Sequence, residues 1–351
     1  MITYHKDYLL VGQGLSGSNL AWQFHFNNLS FDIIDNGGLT SSSRVAGGVV
    51  NPMSFKRLIL SWKAQELVTY AQSFYSKIEA ELGQKVYHPF SLLRPFSSFE
   101  EQNNWAVRVA EPSFTKVLDF FEDTLPESIH QEFGIGKVNL AGRLDVEVFL
   151  DTTAHYFKSA ISNEQFDYSL LQLNDTYISY KDNHYKGLIF CDGYQYIHNP
   201  YFSYLPQNCT KGEILIIKSN QFPNQLISKG CFVMPFTKPN HFVVGATYKW
   251  DDLTTHQTDE AKSELLEKLE KIGDFDYEII EHKVGIRPTV PDRRPLIGTH
   301  PTFKNVHLFN GMGSKAVMLA PHFSANFVSY LINEAQLEKE VDIKRYIKYF
   351  S

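Results

Sequence analysis

Three glycines near the N-terminus have the spacing of a phosphate-binding loop. Gly12, Gly14 and Gly17 follow the apolar run at residues 8–11 and precede apolar residues at helical spacing. In such a loop the first glycine permits a tight turn, the second lets the backbone approach a pyrophosphate, and the third lets helix and strand pack closely. The start of the following helix offers free N–H groups and the positive end of its dipole to phosphate. The pattern predicts a dinucleotide site.

An acidic residue stands where the ribose of a dinucleotide would lie. A second apolar run, residues 31–34, ends at Asp35. A carboxylate at this place accepts hydrogen bonds from ribose hydroxyls and repels a 2′-phosphate. The small residues at positions 41–52 would allow backbone to run along a long, extended cofactor, although a plain surface loop has the same composition. The motif by itself fits FAD and NAD equally.

Composition excludes several classes of protein. With 351 residues the chain is longer than one hydrophobic core usually serves, so two domains are expected. Its 43% hydrophobic and 21% charged residues exclude disordered, collagen-like and coiled-coil chains. The formal charge of −6 argues against general nucleic-acid binding.

The cysteines and the apolar segments indicate the cellular setting. Cys191, Cys209 and Cys231 cannot form a disulfide framework and lack the close pairing of a metal site, so no metal is expected and a reduced, cytoplasmic setting is favoured. The N-terminal apolar run is too short for a secretory signal. The uncharged stretch at residues 316–333 contains too many polar groups for a membrane span and predicts a buried or half-buried helix.

Hydrophobic periodicity predicts the elements that would position these residues. Residues 62–82 and 260–272 carry apolar side chains at helical spacing, and Thr258 or Asp259 is the expected N-cap of the second helix. Strand-rich sequence lies between the motifs near the two ends of the chain. The predicted strands there are residues 212–218, 231–236 and 241–248.

These motifs resemble the amino-acid oxidase superfamily of FAD enzymes. Its members include D-amino-acid oxidase, glycine oxidase, sarcosine oxidase and the oxidase domain of the tRNA-modifying enzyme MnmC. Beyond the N-terminal motifs, further stretches match the family pattern in family order. They are Gly142-Arg143-Leu144-Asp145, Gly285-Ile286-Arg287-Pro288, residues 291–298 and residues 311–317. The resemblance covers almost the whole chain but does not identify a subfamily.

The resemblance implies an α/β fold of interleaved domains. A Rossmann-like FAD-binding domain would comprise residues 1–85, 141–206 and 286–351. A mostly antiparallel α+β substrate domain would comprise residues 86–140 and 207–285. The active site would lie at the seam between them. FAD would be bound non-covalently, because no cysteine stands near the C-terminal stretch where sarcosine oxidases attach flavin.

The resemblance also assigns residues to the cofactor. The expected FAD-binding residues are Gly12, Gly14, Leu15, Ser16, Gly17, Asp35, Asn36, Ser43, Arg44, Ala46, Gly47, Gly48, Gly193, Gly313, Ser314, Lys315, Ala316 and Val317. Gly193 follows a strand predicted at residues 188–191. Here Cys191-Asp192-Gly193-Tyr194 departs from the A-x-G-x-W-like run that is more usual in the family.

Arg287, Lys315 and Tyr248 are the expected catalytic residues. Arg287 would hold a substrate carboxylate through two parallel bonds and fix the α-carbon over flavin N5, as this arginine often does in the family; the alternative is a structural arginine paired with an acid. Backbone N–H groups of the C-terminal glycine turn, with Lys315, would stabilise negative charge on reduced flavin, unless Lys315 is a solvated turn residue. Tyr248, Met234 and Phe236 would roof the pocket or pack in the core.

The expected reaction is oxidation of the C–N bond of a small amine or amino acid by hydride transfer to flavin N5. The imine would hydrolyse in water, and oxygen or another acceptor would reoxidise the cofactor. Ser314 stands where glycine-oxidase-like members have a second arginine, which argues against glycine or a small D-amino acid as substrate. Two alternatives stay open here, an MnmC-like oxidase acting on a modified tRNA uridine and an NAD-dependent dehydrogenase.

Overall fold

The computed structural model describes residues 4–38, 41–333 and 335–350, which form two main sheets with helices packed against them. The helices are α1 (Leu15–Phe26), α2 (Ser42–Val45), α3 (Ala64–Leu82), α4 (Phe99–Val109), α5 (Val146–Tyr156), α6 (Asp259–Glu270) and α7 (Ala316–Asn333). The strands are β1 (Lys6–Val11), β2 (Phe31–Asp35), β3 (Val49–Val50), β4 (Met53–Ser54), β5 (Ile59–Leu60), β6 (Tyr87–Pro95), β7 (Leu118–Phe120), β8 (Ile135–Leu144), β9 (Ile161–Asn163), β10 (Leu171–Leu173), β11 (Ile178–Tyr180), β12 (Asn183–Phe190), β13 (Thr210–Lys218), β14 (Leu226–Lys229), β15 (Cys231–Pro235), β16 (His241–Gly245), β17 (Glu278–Arg287), β18 (Leu296–Thr299) and β19 (Val306–Asn310).

The first sheet has the parallel order β9-β2-β1-β12-β19 that a dinucleotide fold requires. Strands β11 and β10 extend it in antiparallel sense beyond β12, and β18 pairs antiparallel with β19. The central strand is buried on both faces, which is usual for parallel sheets. Leu10 packs into the cluster beneath the helices, while Leu9 and Val11 pack into the cluster on the opposite face.

Helices α1, α3, α5 and α7 cover one face of this sheet. Apolar residues of α1 and α3 pack in one core cluster with residues of α7, including Trp22, Tyr75 and Phe323. The opposite face is covered by the segment that follows β12 and by the C-terminal turn Ile343–Tyr349. Helices α1 and α7, from the first and last parts of the described chain, therefore pack in the same layer.

The second sheet is mostly antiparallel, in the order β17-β13-β16-β15-β14-β6-β8-β3, with β7 also paired to β8. The pairing of β14 with β6 is the parallel one along this path. Helix α6 packs on one face, where Leu265 and Leu269 join the core cluster, and Trp105 of α4 packs on the other. A Rossmann-like sheet and a mostly antiparallel sheet in one chain confirm the predicted α/β fold class.

Several predicted elements have the bounds that the sequence indicates. Strand β2 ends at Asp35, and α7 occupies residues 316–333. Thr258 is the N-cap of α6, and its Oγ1 accepts a hydrogen bond from the Ala261 backbone N–H at 3.3 Å. The strand predicted at residues 241–248 ends earlier, at Gly245. Among the described residues no helix is long and apolar enough to cross a bilayer.

The predicted division into interleaved domains stays a prediction, although the sheets bear on where its boundaries lie. All strands of the first sheet lie in the pieces 1–85, 141–206 and 286–351. In the second sheet, β8 extends past residue 141 to Leu144, β17 ends at Arg287, and β3 lies within the piece 1–85. Strand membership alone would therefore move two boundaries by a few residues and would assign β3 to the other domain.

His307 on β19 links stability to pH. Its side chain is buried, its Nδ1 lies 2.9 Å from Thr299 Oγ1, and burial lowers its pKa to about 3 from 6.5. A histidine that stays neutral when folded and takes a proton when unfolded stabilises the fold above pH 6.5, and this contribution is lost as pH falls toward about 3. We expect His307→Gln to remove this dependence. Urea unfolding should show the wild-type advantage over the variant shrinking as pH falls from about 7 to about 4.

Phe309→Leu is the matched control, because Phe309 is buried on the same strand and carries no titratable group. It should lower the free energy of unfolding by a similar amount across this pH range. A constant difference between wild type and His307→Gln over this range would contradict the prediction.

Candidate cofactor and substrate site

One continuous cavity of about 310 Å³ lies at the carboxyl ends of β1, β2 and β12 and extends to the second sheet. Ligands of open α/β sheets bind at this edge. Arg287, Tyr248 and every predicted cofactor residue except Gly17 and Lys315 line the cavity. Lining residues that the sequence did not reveal include Glu164, Gln165, Phe166, Tyr168, Asp192, Gly212, Ile214 and Phe232.

The glycine loop is shaped by backbone contacts that a side chain would block. Gly12 has φ +105°, and a Cβ added there would lie 2.6 Å from the Cys191 carbonyl oxygen. A Cβ on Gly17 would lie 1.9 Å from the Gly12 carbonyl oxygen. Gly17 therefore does not line the cavity but packs α1 onto the loop, as the sequence predicts.

The N-terminus of α1 opens toward the cavity. Gly14 is the N-cap, and it has no side chain that could cap the first N–H groups of the helix. The Leu15 backbone N–H donates to Ser43 Oγ at 3.0 Å, while Ser16 also lines the cavity. Backbone N–H groups and the helix dipole at this end favour a phosphate.

Asp35 is positioned by the backbone around it. Its Oδ2 accepts the Gln13 N–H at 2.7 Å, and its Oδ1 accepts the Gly37 N–H at 2.8 Å. Each carboxylate oxygen retains a lone pair, so the group can still accept ribose hydroxyls. Asn36 Nδ2 donates to Gln165 Oε1 at 2.9 Å, which brings the segment after β9 to the same end of the cavity.

The small-residue segment follows the cavity wall as expected but contains one turn of helix, α2. Arg44 pairs with Asp151 at 2.8 Å, so its guanidinium is neutralised by the protein. A Cβ on Gly47 would lie 2.8 Å from the Met234 methyl carbon. Gly48 has φ +80°, and a Cβ there would lie 2.0 Å from the Leu144 carbonyl oxygen. The segment therefore runs between the cavity and the second sheet without room for side chains at these two positions.

The departure at residues 191–194 places a carboxyl group at the cavity wall. The Asp192 carboxylate accepts hydrogen bonds from Asn199 Nδ2 at 3.0 Å and from Asn310 Nδ2 at 2.8 Å. Burial raises the pKa of Asp192 to about 6. Gly193 follows with φ +58° and begins a 3-10 turn.

The C-terminal glycine turn directs backbone toward the cavity and directs the lysine away from it. Gly313 and Ser314 line the cavity and precede α7. Lys315 Nζ lies 3.4 Å from the Asn51 carbonyl oxygen and also donates to Ser61 Oγ. Burial, aided by the charge of Arg293, lowers the pKa of Lys315 to about 8. The structure therefore does not bring the Lys315 ammonium to the cavity wall, and its predicted action on flavin stays a prediction.

Arg287 is the cation at the second-sheet end of the cavity. Its Nη1 donates to the Thr247 carbonyl oxygen at 3.2 Å, and its guanidinium lies 4.4 Å from the centre of the Tyr248 ring. Burial lowers its pKa. The ion pairs among the described residues include none to Arg287. The structural alternative, an arginine paired with an acid, therefore finds no support.

Gly212 provides the space that Arg287 occupies. A Cβ on Gly212 would lie 2.1 Å from both Nη atoms of the guanidinium. Ile214 and Phe232 form apolar walls nearby, and Tyr248 lines the mouth with 52% of its surface exposed. Met234 packs against Gly47 instead of lining the cavity.

A second cluster of possible metal ligands lies outside this cavity. Ligand atoms of Glu66, His322 and Glu338 lie within 4.8 Å of one another, where α3 approaches α7. Lys63 Nζ is 2.8 Å from Glu338 Oε2, so a lysine already neutralises part of the cluster. The proximity of these residues is explained by an ion-pair network with Lys63.

We expect Gly17→Ala to purify with little flavin, since its methyl group would displace the Gly12 carbonyl and with it the loop. Absorbance of the flavin bands relative to protein absorbance, before and after incubation with FAD, measures the effect. Gly187→Ala is the control, because Gly187 lies outside the cavity and its new Cβ would have no neighbour closer than 3.1 Å, so this variant should retain flavin. A folded Gly17→Ala protein that is fully loaded would contradict the geometry.

Comparisons with known proteins bear on this site. Residues 7–328 match the DAO family, described as FAD dependent oxidoreductase. Over 123 residues, 33% of each chain, the protein is 28% identical to glycine oxidase of Pseudomonas aeruginosa. It is 22% identical to the bifunctional protein ThiO/ThiG of a Nostoc species, over 94% of this chain and 53% of that protein. The matches thus span a third to about half the length of these curated relatives.

The crystal structure of glycine oxidase from Geobacillus kaustophilus has the same fold. The TM-score is 0.78 at 16% identity, with 98% of each chain covered. A likeness at this identity shows the fold alone. The family match, which runs from β1 through the strands of the second sheet into α7, decides between FAD and NAD. The chain belongs to the DAO family of FAD-dependent oxidoreductases, and its cofactor is FAD.

Proposed function

We propose that this enzyme oxidises the C–N bond of an amine that carries a carboxylate, and that Arg287 binds the carboxylate. The observation that carries the proposal is the half-buried guanidinium of Arg287, which lines the cavity and forms no ion pair with a described carboxylate. Removing an ion from water without a partner is costly, so such a cation favours an anionic ligand.

The geometry suits a carboxylate more than a single point anion. A guanidinium offers parallel N–H donors that match two carboxylate oxygens, and such charge-assisted pairs fix orientation as well as affinity. The Thr247 carbonyl and the Tyr248 ring hold the guanidinium plane from the protein side. The α-carbon of the substrate would thereby be held within the cavity, where orientation lowers the barrier to reaction.

The remaining residues of the cavity would hold FAD without a covalent bond. The loop at Gly12 and Gly14, the start of α1 and Asp35 fit a pyrophosphate and a ribose, because no Cβ enters the loop and helix N–H groups point to it. FAD bound there would supply an acceptor for the α-hydrogen with its electron pair, and oxygen or another acceptor would take up the electrons. Ile214 and Phe232, which line the cavity, would exclude water around that carbon.

Loss of the α-hydrogen as hydride and of one proton from nitrogen leaves an imine, which water hydrolyses. This chemistry needs a neutral amine and a fixed α-carbon more than it needs an acid–base side chain. The glycine oxidases among the relatives act on an amino acid that has no side chain. Here Ser314 and Gly313 stand at the C-terminal turn in place of a second arginine, so we propose a substrate larger than glycine.

Arg287→Gln tests the proposed function. We expect it to weaken binding of a carboxylate-bearing amine about 100-fold, since charge-assisted bonds to a desolvated guanidinium are lost. Anaerobic bleaching of the flavin by a panel of N-methyl and D-amino acids and of amines without a carboxylate measures the effect. Arg287→Lys keeps the charge without the planar fork and should fall between wild type and Arg287→Gln.

Arg108→Gln is the matched control, because Arg108 pairs with Glu111 on the surface of α4. It should bleach like wild type. If carboxylated amines bleach Arg287→Gln and wild type equally, Arg287 does not bind the substrate carboxylate and the proposal is wrong.

Gly212→Ala is expected to impair the same step by a different route. The new methyl group would meet both Nη atoms of Arg287 and push the guanidinium from its position. The KM for the bleaching substrate should rise while the flavin content stays at the wild-type level. Gly187→Ala, where the nearest atom would be 3.1 Å from the Cβ, is the control on the other sheet. An unchanged KM would show that Arg287 does not need this space.

A further inference from the structure

Two aromatic side chains are exposed at the mouth of the cavity. Tyr248 has 52% of its surface exposed and Trp250 has 55%. Their ring centroids are 6.3 Å apart at an interplanar angle of 27°, so the rings are stacked. Exposed aromatic side chains that form a patch beside a cavity are a feature of ligand-binding surfaces.

The two rings flank Lys249, which pairs with Lys211 in an isolated β-bridge. Residues that alternate along an extended chain point the same way, which accounts for the stacking of Tyr248 on Trp250. The intervening Lys249 points elsewhere, and its Nζ pairs with Glu260 at 2.7 Å. Because Tyr248 lines the cavity and Trp250 stacks on it from outside the lining, the aromatic surface continues from the cavity outward.

A buried lysine holds this segment in place. Lys211 on β13 is 1% exposed, and its Nζ donates to Asp252 Oδ2 at 2.6 Å and to Thr254 Oγ1 at 3.3 Å. This bond to the ammonium holds the pKa of Asp252 well below its usual range. The backbones of Lys211 and Lys249 also pair in both directions, at 2.8 Å and 3.0 Å. The rings are thus presented by a fixed segment.

The aromatic surface is continuous with the carboxylate anchor. The Arg287 guanidinium lies 4.4 Å from the Tyr248 ring centre, and Tyr248 in turn contacts Trp250. A substrate held by its carboxylate at Arg287 has its reacting carbon in the cavity. A bulky substituent that extends from the cavity on the side of Tyr248 would then pass these rings.

We propose that Tyr248 and Trp250 form a stacking platform for a planar aromatic or heteroaromatic group of the substrate. The substrate class is then an amino acid whose nitrogen or α-carbon carries a planar ring, not glycine or another small amino acid. This inference rests on the proposed function, because the platform is defined by its distance from the carboxylate at Arg287. Stacking on aromatic side chains tolerates many ring types, so the platform selects planarity more than a particular ring.

Three carboxylates without an amine separate stacking from other contributions in the FAD-loaded enzyme. Acetate presents the carboxylate alone, phenylacetate adds a planar ring, and cyclohexylacetate adds an apolar ring that is not planar. None can be oxidised at a C–N bond, so affinity is read from the perturbation of the flavin absorbance on titration. We expect phenylacetate to bind about 10-fold more tightly than acetate, with cyclohexylacetate between them.

Trp250→Ala should remove most of the advantage of phenylacetate and leave acetate unchanged. Trp250→Phe should keep part of it, and Phe99→Ala is the control, because Phe99 is exposed on α4 at 65%. Equal affinity of wild type for phenylacetate and cyclohexylacetate, or equal weakening of acetate and phenylacetate in Trp250→Ala, would overturn the platform. A platform that fails while Arg287→Gln still weakens acetate leaves the proposed function intact. Acetate binding that is indifferent to Arg287→Gln would remove the proposed function itself.

Discussion

Close contact between the backbones of α1, β1 and β12 is the constraint on which the site depends. Gly17 lies against the Gly12 carbonyl, and Gly12 lies against the Cys191 carbonyl. Only residues without a Cβ allow a helix to begin this close to the ends of two parallel strands. The start of α1 is thereby directed at the cavity. The packing of α1 against α7 then carries the C-terminal glycine turn to the same cavity.

The second sheet makes a comparable demand at the other end of the cavity. Arg287 ends β17 and lies over Gly212 of β13, whose missing side chain leaves room for the guanidinium. The cation at this end is thus positioned by a strand pair, whereas the N–H groups at the first end belong to a helix terminus. The two ends are built from different sheets, so the cavity exists only where the sheets meet. Apolar side chains such as Ile214 and Phe232 lie between them and keep the charges apart.

Sequence patterns predicted the local elements well and the tertiary contacts unevenly. The strand that ends at Asp35, the bounds of α7 and the Thr258 cap follow from short-range physics, namely periodicity and capping. The direction of the Lys315 side chain does not, because it depends on Asn51 and Ser61, which lie far away in sequence. Residues 164–168 reach the cavity through the short parallel strand β9, which has too little periodicity to be recognised. Gly212 did carry a signal, since a glycine inside a strand often marks the close approach of another group.

Strand β13 positions both Arg287 and the segment that carries Tyr248 and Trp250. Its alternation turns Gly212 toward Arg287 and turns Lys211 and Glu213 to the opposite face. There Lys211 holds Asp252, and Glu213 accepts hydrogen bonds from Thr258 N at 3.0 Å and Thr258 Oγ1 at 2.8 Å. Arg287 and the segment that carries Tyr248 and Trp250 are therefore both positioned by consecutive residues of one strand. The spacing between Arg287 and the two aromatic rings therefore depends on the backbone of β13 and on the missing side chain of Gly212.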